Sequence, residues 1–169
     1  MDNVVLKDGR QVSIRPYEAN DFEKLVSMFA SLSREALRYG SPPYDRARLG
    51  LWIDMKRNLL LLALDEERVI GVAAVAGSMR PRLKGVGDFA TYVHQDYQKK
   101  GLGTEMTRLV LDQAKRGGFH RISLQVVVEN VAAVKVYEKA GFRHEGRMKD
   151  ACFGEDQHYH DVLIMGTIL

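Results

Sequence analysis

The segment Gln98–Thr104, which reads QKKGLGT, has the residue types that suit binding of an anion. The apolar residues that follow it recur at helical spacing, so a helix is predicted to begin at Gly101. The first N–H groups of a helix have no partner within the helix and lie at the positive end of its dipole. Glycine allows close approach of a ligand, and Lys99 and Lys100 add positive charge. The segment therefore predicts a phosphate site, with a plain strand-to-helix turn as the alternative explanation.

Two widespread phosphate-binding patterns do not account for this segment. The P-loop pattern G-x-x-x-x-G-K-[ST] is absent from the sequence. The dinucleotide pattern G-x-G-x-x-G could begin with Gly101 and Gly103, but Met106 stands where its third glycine would be. The sequence therefore excludes both of these classes of site here.

The segment Asn130–Phe142, which reads NVAAVKVYEKAGF, is the second candidate for chemistry. Asn130 is a good N-cap, so a helix is predicted from there to Ala140. Asn130 and Tyr137 are seven residues apart and would share one side of that helix. A tyrosine hydroxyl there could donate a proton to a bound ligand. The same residues are also explained by a plain cap and a core aromatic.

Two further sets of side chains have weaker claims. Cys152 is the one cysteine of the sequence, and an acyl-enzyme on its thiol would need a base that no neighbouring residue predictably supplies. His158 and His160 would share a strand face and could bind a metal, but the sequence suggests no third ligand. We therefore expect neither a covalent intermediate nor a metal.

The pattern of apolar residues predicts the elements that position these groups. Strands are predicted, in order, at residues 12–14, 59–64, 69–78, 86–93, 121–128, 143–153 and 158–168. Helices are predicted at residues 22–29, with Asn20 or Asp21 as the cap, and at 46–55, 101–116 and 130–140. This order is typical of a mixed α/β domain in which helices cover a central sheet. No linker divides the chain, so one domain is expected over residues 1–169.

The composition limits the classes of partner. The 169 residues carry a formal net charge of +3, and the charges are dispersed, which favours a small anionic ligand over nucleic acid. Charges at residues 65–68 interrupt the most apolar region, so no membrane span is predicted. The first ten residues do not look like a signal peptide, and a single cysteine fits a reducing cytoplasm.

Both candidate segments resemble motifs of the GCN5-related N-acetyltransferase (GNAT) family. Gln98–Gly103 has the Q/R-x-x-G-x-G/A form of motif A, and residues 93–97, VHQDY, resemble its V-H-P-D-Y lead-in, with Gln95 in place of proline. Residues 130–142 resemble motif B, N-x-x-A-x-x-L-Y-E-K-x-G-F, with Val136 in place of leucine. Two motifs in this order and at this separation are specific to the family.

The resemblance implies a fold and a cosubstrate. The sheet would be central and mostly antiparallel, splayed between the predicted fourth and fifth strands, with helices on both faces. The ligand would be acetyl-CoA, and an N–H near Val93 would stabilise the oxyanion of the thioester carbonyl. Asn130 would contact the CoA arm, and Tyr137 would protonate the departing thiolate. The residues implied in cofactor binding are Thr91, Tyr92, Val93, Gln98, Lys99, Lys100, Gly101, Leu102, Gly103, Thr104, Asn130, Ala133 and Tyr137.

The implied reaction is direct attack of an amine on the thioester. A lysine-type amine has a pKa of about 10.4 and must lose a proton before it attacks. Some relatives use a glutamate at the position of Gln125, which cannot act as a base. Asp88 is the first candidate in its place, followed by Glu129, Glu145 or a chain of waters. An alternative without chemistry is a sensor module that only binds acyl-CoA.

The acceptor is left open by the sequence. Residues 159–162, YHDV, resemble the last strand of ribosomal-protein and phosphinothricin-type acetyltransferases, where this region lines the acceptor site or a subunit contact. Residues 7–16 and 31–33 resemble the opening of protein-lysine acetyltransferase domains. The acceptor is therefore a protein lysine, a protein N-terminus or a small amine, and the resemblance leaves room for a homodimer.

Overall fold

The computed structural model describes residues 2–53 and 58–169. Within these ranges the strands are β1 (Asp2–Val5), β2 (Gln11–Pro16), β3 (Asn58–Asp65), β4 (Arg68–Gly77), β5 (Val86–Val93), β6 (Arg121–Val127), β7 (Arg143–Phe153) and β8 (Tyr159–Ile168). The α-helices are α1 (Phe22–Ala30), α2 (Arg34–Leu37), α3 (Arg46–Ile53), α4 (Leu102–Arg116) and α5 (Val131–Lys139). The predicted helix at 46–55 agrees with α3 as far as Ile53, and its last two residues lie outside the described residues.

These strands form one sheet in the order β1-β2-β3-β4-β5-β6-β8-β7. Neighbours are antiparallel except β5 and β6, which run parallel. The sheet confirms the predicted mixed fold with mostly antiparallel pairing. The sequence pattern missed β1, because this strand has only 4 residues, lies at the edge of the sheet and is mostly exposed.

A gap opens between β5 and β6. The two strands pair only through Val86–Asp88, whose partners are Arg121, Ile122 and Ser123. Beyond Asp88 they diverge, while β5 continues to pair with β4 and β6 with β8. The predicted splay between the fourth and fifth strands is thereby confirmed, since those predicted strands are β5 and β6.

One face of the sheet is covered by α4 and α5. Five apolar residues that recur at helical spacing in α4 are buried, namely Leu102, Met106, Leu109, Val110 and Ala114. They join a core cluster with the apolar side chains of the sheet, including Phe89 of β5 and Tyr137 of α5. Gly101, with a φ of 92°, precedes the first residue of α4, and Gly117 caps its end.

The opposite face is covered by α1 and α3. Leu25, Phe29 and Leu49 from these helices pack on Leu62 and Val72 of the central strands. Together with α4 and α5, this confirms helices on both faces. Among the described residues, no helix has both the length and the apolar character needed to cross a membrane.

The side chain predicted to cap α1 makes no capping hydrogen bond. Asp21 stands at the N-cap, but its carboxylate makes no cap hydrogen bond to α1. It instead accepts from both terminal nitrogens of Arg15, at 2.6 and 2.7 Å, and from the Glu18 N–H. Because Asp21 is buried, the guanidinium is a stronger partner for it than the helix N–H groups.

Candidate active site

The loop before α4 holds the helix N-terminus beside the end of β5. Lys99 (φ 60°) and Gly101 (φ 92°) both have left-handed backbone conformations, which turn the chain from the strand into the helix. The Gln98 side-chain amide donates to the Val93 carbonyl at 3.0 Å. The first bond of the helix runs from Glu105 N–H to Gly101 O at 3.1 Å. The N–H groups that precede it in α4 are left available to a ligand, and they belong to Leu102, Gly103 and Thr104.

The lysines near this loop differ in their exposure and in the partners of their charged groups. Lys99 is exposed. The Lys100 ammonium is held by the Asp8 carboxylate at 2.9 Å and by the Asp96 carbonyl at 2.7 Å. Lys7, in the β1–β2 turn, donates its N–H to the Lys100 carbonyl at 3.1 Å. Its side-chain methylene carbon Cε lies 3.8 Å from where a Cβ on Gly101 would stand. The sequence reasoning missed Lys7, because a contact over more than ninety residues leaves no local pattern.

The edge of β5 that faces the gap carries unpaired backbone groups. His94 N–H donates to Ile70 O in β4 at 2.8 Å. Because N–H groups alternate between the two edges of a strand, the Val93 N–H points away from β4 and into the gap. The Thr91 N–H, two residues earlier, points the same way, while its hydroxyl donates to Val72 O at 3.1 Å. The gap is therefore lined by the backbone N–H groups of Thr91 and Val93.

Tyr137 reaches the gap from the face covered by α4 and α5. It is 8% exposed, and its ring stands edge-on to Phe89 at 5.7 Å and to Phe142 at 5.9 Å. Burial raises the pKa of Tyr137 to about 12, and the neighbouring Tyr92 phenol adds to the shift. Among the described residues, none hydrogen-bonds to the Tyr137 hydroxyl. The site thus holds a neutral phenol with a proton available to a ligand.

Asn130 caps α5 as predicted. Its side-chain oxygen accepts from the Ala133 N–H at 3.4 Å. The cap places the start of α5 directly after β6, so α5 carries Tyr137 back along the gap. Asn130 and Ala133 are both partly exposed.

The opposite face of the gap carries Asp88. Residues 89, 91 and 93 of β5 lie on the α4 side with Phe89, so Asp88, Ala90 and Tyr92 lie on the α1 side. Asp88 is exposed and accepts from the Ser123 hydroxyl at 2.9 Å, at the last pair before the strands diverge. Gln125, also exposed, lies on the same face of β6 as Ser123. The structure therefore separates the predicted acid and the predicted base onto opposite faces of the sheet.

The remaining acidic candidates for the base are already paired. Glu145 forms an ion pair with Arg121, which lowers the pKa of that carboxyl group. Glu129 lies 3.4 Å from Nδ1 of His160. A carboxylate bound to a cation is a weaker base, so these contacts leave Asp88 as the first candidate.

Cys152 lies opposite His160 in the β7–β8 ladder, a pairing that the sequence did not suggest. His160 Nε2 is 2.9 Å from Asp156, and its Nδ1 faces Glu129. These carboxylates raise the pKa of His160. Neither ring nitrogen is free to take the thiol proton. Within the described ranges, no three His, Cys, Asp or Glu side chains are placed to share a metal ion.

Two cavities flank the gap on the α1 side. One, of about 440 Å³, lies between α2 and the β7–β8 hairpin and is lined mainly by charged and polar side chains, among them Arg34, Arg38, Glu155, Asp156 and His160. The other, of about 250 Å³, lies between β5 and the helices above it. Its walls are mainly aromatic and aliphatic, formed by Phe29, Pro43, Tyr44, Leu49, Leu51, Trp52, Ala90 and Tyr92.

Gln95, in place of the proline of the motif A lead-in, links the end of β5 to the chain between α1 and α2. Its side chain accepts from Ser33 N–H and donates to Ser31 O, both at 3.0 Å. Ser33 in turn caps α2 through the Ala36 N–H. The link holds the chain between α1 and α2 against the end of β5.

Comparison with known proteins shows where the chain belongs. Residues 26–142 match the family described as Acetyltransferase (GNAT) family. The L-amino acid N-acetyltransferase AaaT of Escherichia coli K12 is 32% identical over 160 residues, which cover 94% of this chain and 98% of that protein. The L-methionine sulfoximine/L-methionine sulfone acetyltransferase of Pseudomonas aeruginosa PAO1 is 27% identical over 143 residues, or 80% and 83% of the two chains.

A solved structure shares the fold. The yncA protein of Salmonella typhimurium, solved with its cofactor acetyl-CoA, has a TM-score of 0.79 and 19% identity over 94% of each chain. The family match covers the four strands β3 to β6, the loop before α4, and the whole of α4 and α5. The chain is a member of the GNAT family of N-acetyltransferases.

Proposed function

We propose that the chain transfers the acetyl group of acetyl-CoA to a primary amine by direct attack, with Tyr137 as the acid. The observation that carries this proposal is the neutral, buried Tyr137 phenol at a gap whose other wall offers unpaired backbone donors. A thioester lying in the gap would have its sulfur beside the phenol and its carbonyl beside the Val93 N–H.

The acyl donor would lie along β5 and α4. The pantetheine arm would pair with the free edge of β5 beyond Asp88, as a further strand would. The pyrophosphate would meet the N–H groups at the start of α4, and Lys7 and Lys99 would add positive charge there. Lys100 would act through its bonds to Asp8 and Asp96, by holding the loop in shape.

The proposed reaction has two stages, addition of the amine and loss of the thiolate. The amine nitrogen forms a bond to the thioester carbonyl carbon, and the oxyanion receives a hydrogen bond from the Val93 N–H. Collapse of this intermediate breaks the carbon–sulfur bond, and the thiolate takes the Tyr137 proton. The excess proton of the amine passes to Asp88 through a chain of waters, because five strand residues, roughly 16 Å, separate Asp88 from Val93. Asp88 lies exposed on the face from which the amine would arrive.

The proposed acceptor is a small amine of the amino-acid kind. One of the two relatives described above is named for L-amino acids and the other for L-methionine sulfoximine and L-methionine sulfone, and the matches cover at least 80% of each relative. A protein lysine or N-terminus is the competing acceptor.

The test is release of free thiol from acetyl-CoA with a panel of amino acids, polyamines and lysine-containing peptides. We expect acceleration by free amino acids. No acceleration by any amine would overturn the transferase proposal for this site.

Two variants test the chemistry. Cys152→Ser should keep its rate, because direct attack needs no thiol on the protein; loss of activity with a burst of thiol in the wild type would support an acyl-enzyme instead.

Asp88→Asn should lower the rate by about 100-fold or more, and more strongly at low pH than at high pH, because a less protonated amine needs less help. An unchanged pH profile would contradict Asp88 as the base.

A further inference from the structure

The aromatic cavity on the α1 side of β5 has walls that are fixed by their own packing. The Phe29 and Tyr44 rings are stacked at 5.0 Å, and Tyr92 stands edge-on to both, at 5.2 and 5.4 Å. Trp52 is edge-on to Phe29 at 6.5 Å. Such contacts hold rings in defined positions, so the cavity has a shape before any ligand enters.

The two phenol hydroxyls of these walls are already paired with each other. The Tyr44 hydroxyl donates to the Tyr92 hydroxyl at 3.2 Å. Burial raises the pKa of Tyr44 far above its usual range, so the Tyr44 phenol stays neutral. The other polar side chains along the cavity, Ser41 and Arg48, are exposed. The interior therefore offers ring and aliphatic carbon to an occupant and suits an apolar group.

The cavity adjoins the reaction centre. Ala90 and Tyr92 line it, and both lie on β5 beyond the last residue that pairs with β6. Tyr137, Phe89 and Phe142 fill the opposite face of the gap. An amine must therefore approach from the cavity's face, and a substituent next to that amine would fall into the cavity.

We infer that this cavity binds the side chain of the acceptor, and that the acceptor is a small primary amine carrying one aliphatic or aromatic group. The inference rests on the proposed function. A volume of about 250 Å³ corresponds to roughly eight waters at about 30 Å³ each, which is enough room for one large apolar side chain. Lysine and polyamine chains would place a second ammonium among the rings, and none of the described residues that line the cavity carries a carboxylate.

The experiment compares acceptors that differ only in side-chain size. The kcat/KM values for alanine, 2-aminobutyrate, norvaline, leucine, methionine and phenylalanine are measured by thiol release, with serine, aspartate and lysine as polar comparisons. We expect kcat/KM to rise by about 10-fold or more from alanine to the larger apolar members. Equal values along the series, or a preference for lysine or a peptide, would overturn the inference.

A filled cavity gives the matched test. Ala90→Leu should remove the advantage of leucine and methionine over alanine, while the KM for acetyl-CoA stays within about 2-fold. Ala47→Leu is the control, since Ala47 is exposed on α3 and does not line the cavity. If Ala90→Leu does not fold, Ala90→Val serves in its place. Equal loss for every acceptor would contradict a side-chain site.

Different results would overturn the proposed function and the assignment of the cavity. If the wild type releases no thiol with any amine, the proposed function fails. If it acetylates amines without regard to apolar size, only the assignment of this cavity fails.

Discussion

Replacing Tyr137 with phenylalanine removes one oxygen from the proposed acid and little else. The variant keeps both edge-on ring contacts, with Phe89 and with Phe142. Within the described part of the chain the hydroxyl has no hydrogen bond to lose, so the free energy of unfolding should change by less than about 0.5 kcal/mol. A loss of rate can therefore be separated from a loss of fold.

The expected loss of rate follows from the two proton donors that compete for the thiolate. Tyr137 has a pKa of about 12. Water, which would replace it, has a pKa of about 15.7, roughly four units higher. For a proton about half transferred in the transition state, that difference gives roughly 100-fold, at the lower end of what general acids contribute. We expect kcat for Tyr137→Phe to fall by at least this factor.

The pH profile gives a second readout. A phenol with a pKa of about 12 stays protonated as the pH rises through 10, so the wild-type rate should show no basic limb from Tyr137 below pH 11. Burial raises this pKa above the value of about 10 in an unfolded tyrosine. The free energy of unfolding should therefore decrease as the pH rises from about 10 to about 12.

The assay is thiol release under saturating acceptor, with CoA binding measured by calorimetry. Tyr159→Phe is the matched control, because Tyr159 is exposed on β8 and lies outside the gap. Tyr137→Phe should bind CoA with unchanged affinity. A kcat within 2-fold of the wild type, with that affinity preserved, would refute the role of Tyr137 as acid.

Three further predictions concern the donor site and the fold. Lys7→Met should raise the KM for acetyl-CoA by roughly 5-fold without changing kcat, and leave the KM for S-acetyl-pantetheine unchanged; Lys84→Met is the control, and equal effects on both donors would exclude a phosphate contact. Asn130→Ala should lower stability by about 1 kcal/mol in urea, and Asn130→Ser should restore the cap but not the KM if the amide also contacts CoA. Asp21→Asn should cost about 3 kcal/mol, because it breaks a buried ion pair. Arg15 lowers the pKa of Asp21, so wild-type stability should fall as the pH drops through that lowered pKa, and the fall should be smaller in the variant, which keeps other carboxyl groups of lowered pKa such as Glu145.

The parts of the site that the sequence predicts are those that short segments specify. The start of α4 follows from glycines beside a helical apolar pattern, and the cap of α5 follows from Asn130 alone. Tyr137 needs only the seven-residue spacing to lie along the same helix. In each case the physical cause lies within about ten residues, so a single sequence contains it.

The parts that escaped prediction depend on distant residues. Lys100 stays a predicted phosphate ligand, and the sequence pattern does not indicate that Asp8, far away in the chain, pairs with its ammonium. Lys7 reaches the loop only because the β1–β2 turn packs there. Asp21 looked like a helix cap until the structure placed Arg15 beside it. Each outcome depends on which side chain comes within hydrogen-bond distance, and local patterns do not contain that distance.

The two faces of the gap also differ in whether short segments or distant residues build them, and this difference bears on specificity. The proposed donor face is built by two contiguous segments, residues 93–104 and 130–137, whose backbone groups and single phenol would serve any acyl-CoA. The acceptor face draws on α1, on residues 41–52 and on alternate residues of β5. Side chains such as Trp52 and Leu51 can change there without moving a donor-site atom. A chain of this family can thus keep one chemistry while the cavity over β5 decides which amine receives the acetyl group.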